Sequence, residues 1–298
     1  MLKFNIIYTT DTVKYLLPFA KSVLQHNSVN IRLISNNCNQ TEIEILKKEA
    51  HKTDRISFFK VETNTVLPHH QVLNQLYKLD EDEYFAFMDS DIFCNGHFVT
   101  TFSNSLETNS AVFSCKPISI SPQTPEINKI QGRHFHDKNN KLIGGSYFAI
   151  YKRNDIDTVH KKLGFLFDRK NWIDLNPEMQ SKLKQGDMVY EKYDTAKLLN
   201  FFLRENAFTL DYTEHQNLFH IGGLSWNKTF IQNKNIKPIF PDNNLGKVLK
   251  KRNDIAEYFS EYIDSCLEGR IHPEIPQVSE QENAKILKIT AELNTLYQ

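Results

Sequence analysis

The sequence predicts an α/β protein with a mostly parallel sheet flanked by helices and with a helical C-terminal extension. Through the first half of the chain, short apolar runs alternate with segments of helical periodicity. Two of these runs end directly in polar loops, Thr9-Thr10-Asp11 and Asp89-Ser90-Asp91. After Pro241 the pattern changes to long amphipathic segments. We therefore expect a main domain over 1–240 and a helical extension over 241–298.

The first half alternates strand and helix in the order that is typical of βαβ units. Strands are predicted over 4–8, 31–35, 56–61 and 84–88, and helices over 15–26, over 41–51 and from Pro68 onwards. Right-handed crossovers would place helices on both faces of the sheet and ligands at the carboxyl ends of the strands. The two polar loops then lie along one edge of the sheet.

The second half is less regular. The patterns predict strands over 145–151 and 208–212, and helices over 194–204, 245–267 and 280–297, the last as a surface appendage. Two polar segments, 119–125 and 132–141, are predicted as loops. The second contains His134 and His136, so it is a plain surface loop, a loop that contacts a substrate or a second metal site.

Composition narrows the function classes. The chain has 36 basic and 36 acidic residues, whereas a nucleic-acid binder normally has a basic excess, so we expect no nucleic-acid partner. Its four cysteines are scattered and show no zinc spacing, which suits a reducing compartment. No apolar run marks a signal peptide or a membrane span, so we expect a cytoplasmic protein.

The strongest motif is the pair Asp89 and Asp91, which an apolar strand delivers at its carboxyl end. Divalent cations such as Mg²⁺ and Mn²⁺ prefer oxygen ligands, and they often bind through one or two carboxylates plus substrate phosphates. Taken alone, the triplet could be a solvated turn. Its position after a buried strand favours a metal site.

A second motif lies far downstream, where His220 is followed by Gly222 and Gly223. Imidazole is a good ligand for ions such as Mn²⁺, and paired glycines let backbone amides approach an anion closely. Alone, the motif would be read as a core histidine beside a tight turn. Together with Asp89 and Asp91, it predicts one site for a metal and a diphosphate.

The order of these features resembles the GT-A class of glycosyltransferases, most closely the retaining family that contains glycogenin and bacterial lipopolysaccharide glucosyl- and galactosyltransferases. The resemblance spans roughly 4–226 and implies a Rossmann-like sheet. It implies a cation, Mn²⁺ or Mg²⁺, held by Asp89, Asp91 and His220. It also implies contacts with a nucleotide-sugar donor through Thr9, Thr10, Asp11, Ser90, Gly145, Ser146, Gly222, Gly223 and Trp226.

The chain departs from that family at two motifs. The family's acidic motif usually has two aspartates around one residue, whereas here Asp194 stands alone between Tyr193 and Thr195. A Lys-Pro-Trp commonly follows the late histidine, but this chain has Leu224-Ser225-Trp226. Asp194, Asp187 and Glu191 are the candidates for a catalytic base or for a polar group beside the sugar. Retention or inversion of the anomeric centre is therefore left open.

Two segments with basic residues each allow a preferred interpretation and an alternative. His69 and His70 precede a helix and are expected to be solvated, with contact to an acceptor as the alternative. The run 247–252 begins the long C-terminal helix and favours a packed helix with a charged outer face. The alternative is peripheral contact with an anionic membrane surface, at the inner membrane face.

These features together predict a metal-dependent glycosyltransferase that moves a sugar from a nucleotide-sugar donor to a glycan, a lipid-linked or a protein acceptor. The resemblance alone favours a UDP-sugar over a GDP-sugar. Two alternatives remain. A sugar-nucleotide pyrophosphorylase would normally have a glycine-rich basic loop after the first strand, which Thr9-Thr10-Asp11 lacks. A non-catalytic nucleotide-sugar-binding protein on the same fold is the other.

Overall fold

A computed structural model describes residues 1–115, 136–137, 139–232 and 234–298. The predicted loop over 119–125 lies outside these residues, and so does His134 with half of the predicted 132–141 loop. Within the described residues, no helix is long and apolar enough to cross a membrane.

The strands and helices follow one another as the alternating pattern indicates. The strands are β1 Lys3–Thr9, β2 Asn30–Asn36, β3 Ile56–Val61, β4 Tyr84–Asp89, β5 Ile92–Cys94, β6 Ala111–Phe113, β7 Phe148–Lys152, β8 Lys170–Asn171, β9 Lys192–Tyr193, β10 Leu210–Tyr212 and β11 Leu218–His220. The α-helices are α1 Val13–His26, α2 Gln40–Ala50, α3 His69–Leu79, α4 Val99–Thr108, α5 Arg153–Leu163, α6 Pro177–Gln185, α7 Lys197–Glu205, α8 Leu224–Trp226, α9 Asn244–Glu268 and α10 Glu280–Tyr297. A π-helix, Asn227–Gln232, follows α8 directly.

Seven strands form the central sheet in the order β10-β6-β7-β4-β1-β2-β3. Strand β7 runs antiparallel to both of its neighbours, β4 and β6, and the remaining pairings are parallel. The prediction of an α/β fold with a mostly parallel sheet is therefore confirmed. A second small sheet pairs β5 with β11 in antiparallel orientation.

Side chains of the central strands pack on both faces of the sheet. In β4, Ala86 and Met88 belong to one core cluster, whereas Phe85 and Phe87 belong to the other. Successive residues of a strand point to opposite faces, so a strand that is buried on both sides is apolar at nearly every position. This explains why 84–88 is a continuous apolar run. Because β1 and β4 are parallel, with Ile7 beside Asp89, their polar ends meet at one edge of the sheet.

Side-chain capping and backbone conformation determine where helices α2 and α7 begin. Helix α2 begins with a capping box in which Asn39 accepts from the Glu42 N–H and Glu42 accepts from the Asn39 N–H. Helix α7 begins at Lys197 rather than at 194 as predicted, because Ala196 has φ of 62° and is not helical. The predicted strands over 145–151 and 208–212 begin later, at Phe148 and Leu210.

The prediction that the last helix is a surface appendage is wrong. Its Ile286, Ile289 and Leu293 are buried in the same core cluster as residues of β1 and α1. These positions are three, four or seven residues apart, so they form one apolar stripe along the helix. The Tyr297 hydroxyl also donates to the Tyr15 carbonyl in α1. The division into 1–240 and 241–298 stays a prediction.

A buried carboxylate ties α3 to the sheet. Asp80, which ends α3, accepts a hydrogen bond from Lys3 at 2.8 Å and one from Arg32 at 2.7 Å. Burial alone would raise the pKa of Asp80, but these hydrogen bonds outweigh it and lower the pKa below its usual value. A group with a lowered pKa stabilises the folded protein above its unfolded-state pKa, and this stabilisation is lost as the pH falls through the folded-state pKa.

Replacing Asp80 with asparagine should lower the free energy of unfolding by about 2 kcal/mol at pH 7, because two charge-assisted hydrogen bonds are weakened. The difference from the wild type should shrink once the pH falls below about 4, where the unfolded-state carboxyl becomes protonated. Urea unfolding followed by circular dichroism would measure both. Asp54→Asn, at an exposed position, is the matched control and should change little. A pH-independent difference would contradict this account.

Candidate metal and diphosphate site

Two sheets bring three metal-ligating side chains together. Strand β4 ends at Asp89, and Asp91 precedes β5 by one residue. In the small sheet His220 pairs with Ile92, the residue after Asp91. The His220 Nε2 therefore lies 3.2 Å from Asp91 Oδ1 and 3.6 Å from Asp89 Oδ2. One ligand atom from each of the three residues lies within 4.8 Å of the other two.

Burial leaves this cluster without sufficient hydrogen-bond partners. The side chains of Asp91 and His220 are each only 4% exposed. Although the two are close, Asp91 Oδ1 and the two ring nitrogens of His220 have no hydrogen-bond partner among the residues that the structure describes. Buried polar atoms normally have a partner, so an unpaired carboxylate oxygen beside an unpaired imidazole nitrogen fits a bound cation. The oxygen and nitrogen ligands suit Mn²⁺ or Mg²⁺.

The two carboxylates differ in their electrostatic surroundings. Burial, followed by the charges of Asp91 and Asp194, raises the pKa of Asp89 well above its usual range. Burial alone would also raise the pKa of Asp91, but the His220 imidazole and the Leu224 N–H favour the charged carboxylate, so the pKa is lowered. A bound cation would add positive charge to the cluster and would stabilise both carboxylates in their charged forms.

The glycine motif is fixed directly to Asp91. The Ile221 N–H donates to the Asp91 carbonyl at 3.2 Å, and the Leu224 N–H donates to Asp91 Oδ2 at 3.0 Å. Between these bonds, Gly222 and Gly223 have φ angles of 74° and 88°, which other residues rarely adopt. The glycines therefore form a turn that begins and ends on one aspartate.

Tyr147 supports both sides of the cluster. Its carbonyl accepts a 2.7 Å hydrogen bond from the Asp89 N–H, and its ring lies 4.7 Å from the His220 ring. This residue immediately precedes β7, the antiparallel strand beside β4. The position of the histidine thus depends on packing against a strand that is remote from it in sequence.

A cavity of about 240 Å³ opens beside the cluster. The predicted residues that line it are Asp89, Gly145, Ser146, Asp194, His220, Gly222 and Gly223. Sequence reasoning did not place Tyr147, Arg169, Thr195, Lys197 or Arg252 there, although they line it too. Arg169 and Arg252 have no spacing signal that could have identified them, because their chain neighbours do not line the cavity. Tyr147, Thr195 and Lys197 lie next to or near the predicted residues Ser146 and Asp194 in sequence.

One wall of the cavity is formed where β8 and β9 pair. Arg169 precedes β8 and Asp194 follows β9, so the antiparallel ladder places the two side by side. Their closest atoms, Arg169 Nε and Asp194 Oδ1, are 3.4 Å apart. This ion pair puts a cation and a carboxylate into the lining of the cavity, which also includes Gly145 and Ser146.

His69 also lines the cavity, which differs from the expected solvated pair. Its Nε2 is 4.0 Å from Asp89 Oδ1, and its ring contacts Phe87 edge to face. Burial lowers the pKa of His69 to about 4, so the imidazole is neutral at physiological pH.

The other predicted site residues do not line this cavity. Thr9 and Thr10 are bonded to Thr229 of the π-helix, through Thr9 Oγ1 at 2.6 Å and the Thr10 carbonyl at 3.1 Å. Asp11, beside them, has φ of 63°. The remaining four lie elsewhere: Ser90 is buried beside Ser225, Trp226 is exposed against Phe230, and Asp187 and Glu191 are exposed. Their roles stay predictions.

No family model matches the sequence, and a search of curated proteins finds no match. Among solved structures, the chain is similar to S. aureus TarS 1–349 (13% identity, TM-score 0.47, covering 98% of this chain and 81% of that chain). It is similar to the galactosyltransferase LgtC in complex with donor and acceptor sugar analogues (11%, 0.44, 95% and 100%). It is also similar to the mannosyltransferase PcManGT from Pyrobaculum calidifontis in complex with GDP-Man and Mn²⁺ (10%, 0.46, 99% and 83%).

The matches also include a putative glucose-1-phosphate thymidylyltransferase, so sugar transferases and nucleotidyltransferases both occur among them. At such low identities and TM-scores these are likenesses of fold. The fold class of this chain is established by its own strand order and pairing.

The cluster should bind Mn²⁺, and Asp91→Asn should weaken the binding at least about 100-fold. Even the loss of a residue that only hydrogen-bonds to a metal ligand typically lowers metal affinity about 10- to 100-fold. Electron paramagnetic resonance of free Mn²⁺ would measure the dissociation constant. Asp242→Asn, at an exposed position outside the cluster, is the control and should bind as the wild type does. Equal affinity of Asp91→Asn and the wild type would exclude this metal site.

Proposed function

We propose that this protein is a metal-dependent glycosyltransferase that uses a nucleotide-sugar donor. The observation that carries the proposal is the convergence of Asp89, Asp91 and His220 beside a cavity that Asp89, His220 and the glycine turn line. The resemblance alone favours a UDP-sugar over a GDP-sugar. A glycan, a lipid-linked or a protein acceptor would take the sugar.

The charges around the cavity fit a diphosphate. Among the described residues, three basic side chains line it, Arg169, Lys197 and Arg252. Against them stand three carboxylates, those of Asp89 and Asp194 in the lining and that of the adjacent Asp91. The two sets balance, so a bound divalent cation would leave two positive charges. The dianionic diphosphate of a nucleotide-sugar would neutralise them, which favours this ligand over a neutral sugar.

When bound, the cation would supply electrostatic stabilisation of the charge that develops on the leaving diphosphate. The chain's own residues have separate roles. Asp89, Asp91 and His220 would hold the cation, and the Gly222-Gly223 turn would bring the backbone close to the phosphates.

The sugar of the donor would face Gly145, Ser146 and Asp194, which line the same cavity. Asp194 is then the candidate for orienting the sugar or accepting a proton from the acceptor hydroxyl. Arg169 Nε, 3.4 Å from Asp194 Oδ1, would orient that carboxylate.

The loop Thr9-Thr10-Asp11 would contact the nucleotide at the end of β1, since ligands of parallel sheets bind beyond the carboxyl ends of the strands. Two hydrogen bonds join this loop to Thr229, nine residues after His220 in sequence. The nucleotide and metal regions would therefore be held together by one segment. We also propose that the protein acts in the cytoplasm, with peripheral contact at the inner membrane face through the C-terminal helix.

The reaction is tested by incubating the protein with a panel of UDP- and GDP-sugars plus Mn²⁺ and measuring the nucleoside diphosphate released. We expect release from one donor, abolished by EDTA and reduced at least about 100-fold in Asp91→Asn, because the leaving group loses its stabilisation. Asp242→Asn should retain wild-type turnover.

The same assay separates the alternatives. A sugar-nucleotide pyrophosphorylase would consume the donor only when inorganic pyrophosphate is added, with a nucleoside triphosphate as product. A binding protein would retain UDP without turnover of any donor, even with acceptors present. Absence of both turnover and metal-dependent UDP binding would overturn the proposal.

A further inference from the structure

Helix α9, in the predicted C-terminal extension, packs directly on the glycine turn of the site. A Cβ placed on Gly223 would lie 3.6 Å from the Cβ of Ala256. Ile255 and Phe259 of the same helix are buried in one cluster with Ile221 and Leu224, the residues on either side of the two glycines. The helix therefore forms one side of the turn.

Further along its length, α9 is held to the π-helix by hydrogen bonds and an ion pair. Lys228 of the π-helix is buried, and its Nζ lies 2.7 Å from Asp264 Oδ2 and 3.3 Å from the Ser260 carbonyl. The Ser260 hydroxyl donates to Gln232 Oε1 at 3.1 Å. The face of α9 that contains Ser260 and Asp264 is thus turned toward the segment that follows His220.

The spacing of residues along α9 explains why Arg252 reaches the cavity. Arg252, Ala256, Ser260 and Asp264 are four residues apart, so they lie along one stripe of the helix. Ser260 and Asp264 contact the π-helix, and Ala256 contacts Gly223. One turn before Ala256, Arg252 lines the cavity together with Asp89, His220 and Gly222.

We propose that Arg252 binds the diphosphate of the donor, so that helix α9 supplies a cation to the site formed by the central and small sheets. The inference rests on the proposed function and adds a diphosphate-positioning residue to it. A guanidinium offers several donors in one plane and suits phosphate oxygens better than an ammonium group does. The neighbouring Lys250 pairs instead with Asp254 at 3.2 Å and does not line this cavity.

Calorimetric titration of UDP in saturating Mn²⁺ tests the proposal on the full chain. Arg252→Met keeps much of the side-chain volume and removes the charge, and it should weaken UDP binding about 10- to 100-fold, the range for a charge-assisted hydrogen bond. Inorganic pyrophosphate should lose affinity by the same factor, because the contact is with the diphosphate. Arg252→Lys should fall between the Met variant and the wild type. Lys250→Met is the matched control and should bind as the wild type does.

Two further readouts distinguish diphosphate binding from a structural role. The melting temperature and the affinity for Mn²⁺ alone should be nearly the same in Arg252→Met and the wild type. If either falls in step with UDP affinity, the proposal is overturned in favour of a structural role. If the Met variant does not fold, Arg252→Lys decides, and UDP affinity equal to the wild type's would overturn the proposal.

Failure of this inference and failure of the proposed function give different results. Unchanged UDP binding in Arg252→Met, with metal-dependent binding intact in the wild type, overturns the role of Arg252 and leaves the proposed function standing. No metal-dependent UDP binding by the wild type overturns both.

Discussion

The pairing of β5 with β11 is the interaction on which the candidate site depends. Strand β5 begins immediately after Asp91, and its antiparallel partner ends at His220, so the ladder brings the imidazole to the carboxylates. The hydrogen bonds from Ile221 and Leu224 to Asp91 extend the same contact into the glycine turn. Without this ladder, the two motifs would be separate polar loops more than a hundred residues apart in the chain.

The cluster is held in a state that is electrostatically unfavourable for the chain alone. Two carboxylates and an imidazole share a site in which the side chains of Asp91 and His220 are almost completely buried. Placing like charges together in a buried site costs free energy, and proteins do so mainly where function requires it. The surrounding contacts, such as the Tyr147 ring against His220, keep the three side chains converged despite that cost. The same contacts would preorganise them for a cation.

Different elements contribute to the cavity for different physical reasons. Strand β4 ends at Asp89 because its apolar run fills both faces of the sheet, and the polar edge follows directly. The pairing of β8 with β9 sets Arg169 against Asp194. Helix α9 reaches the glycine turn because apolar packing and the buried Lys228–Asp264 ion pair orient it. These elements are far apart in sequence, so the shape of the cavity is a property of their packing.

The sequence by itself determined the α/β class, most elements of the first half and the three metal-ligating candidates, because strand periodicity and short motifs are local signals. It also identified Gly222-Gly223, since paired glycines after a histidine are visible without a structure. Only the tertiary structure placed Arg169, Lys197 and Arg252 beside these ligands, and only it buried Ile286 and Leu293 of the last helix in the core. A single basic or apolar residue has no local pattern that specifies its distant neighbours. Which side chains meet across the cavity is decided by strand pairing and helix packing between segments far apart in the chain.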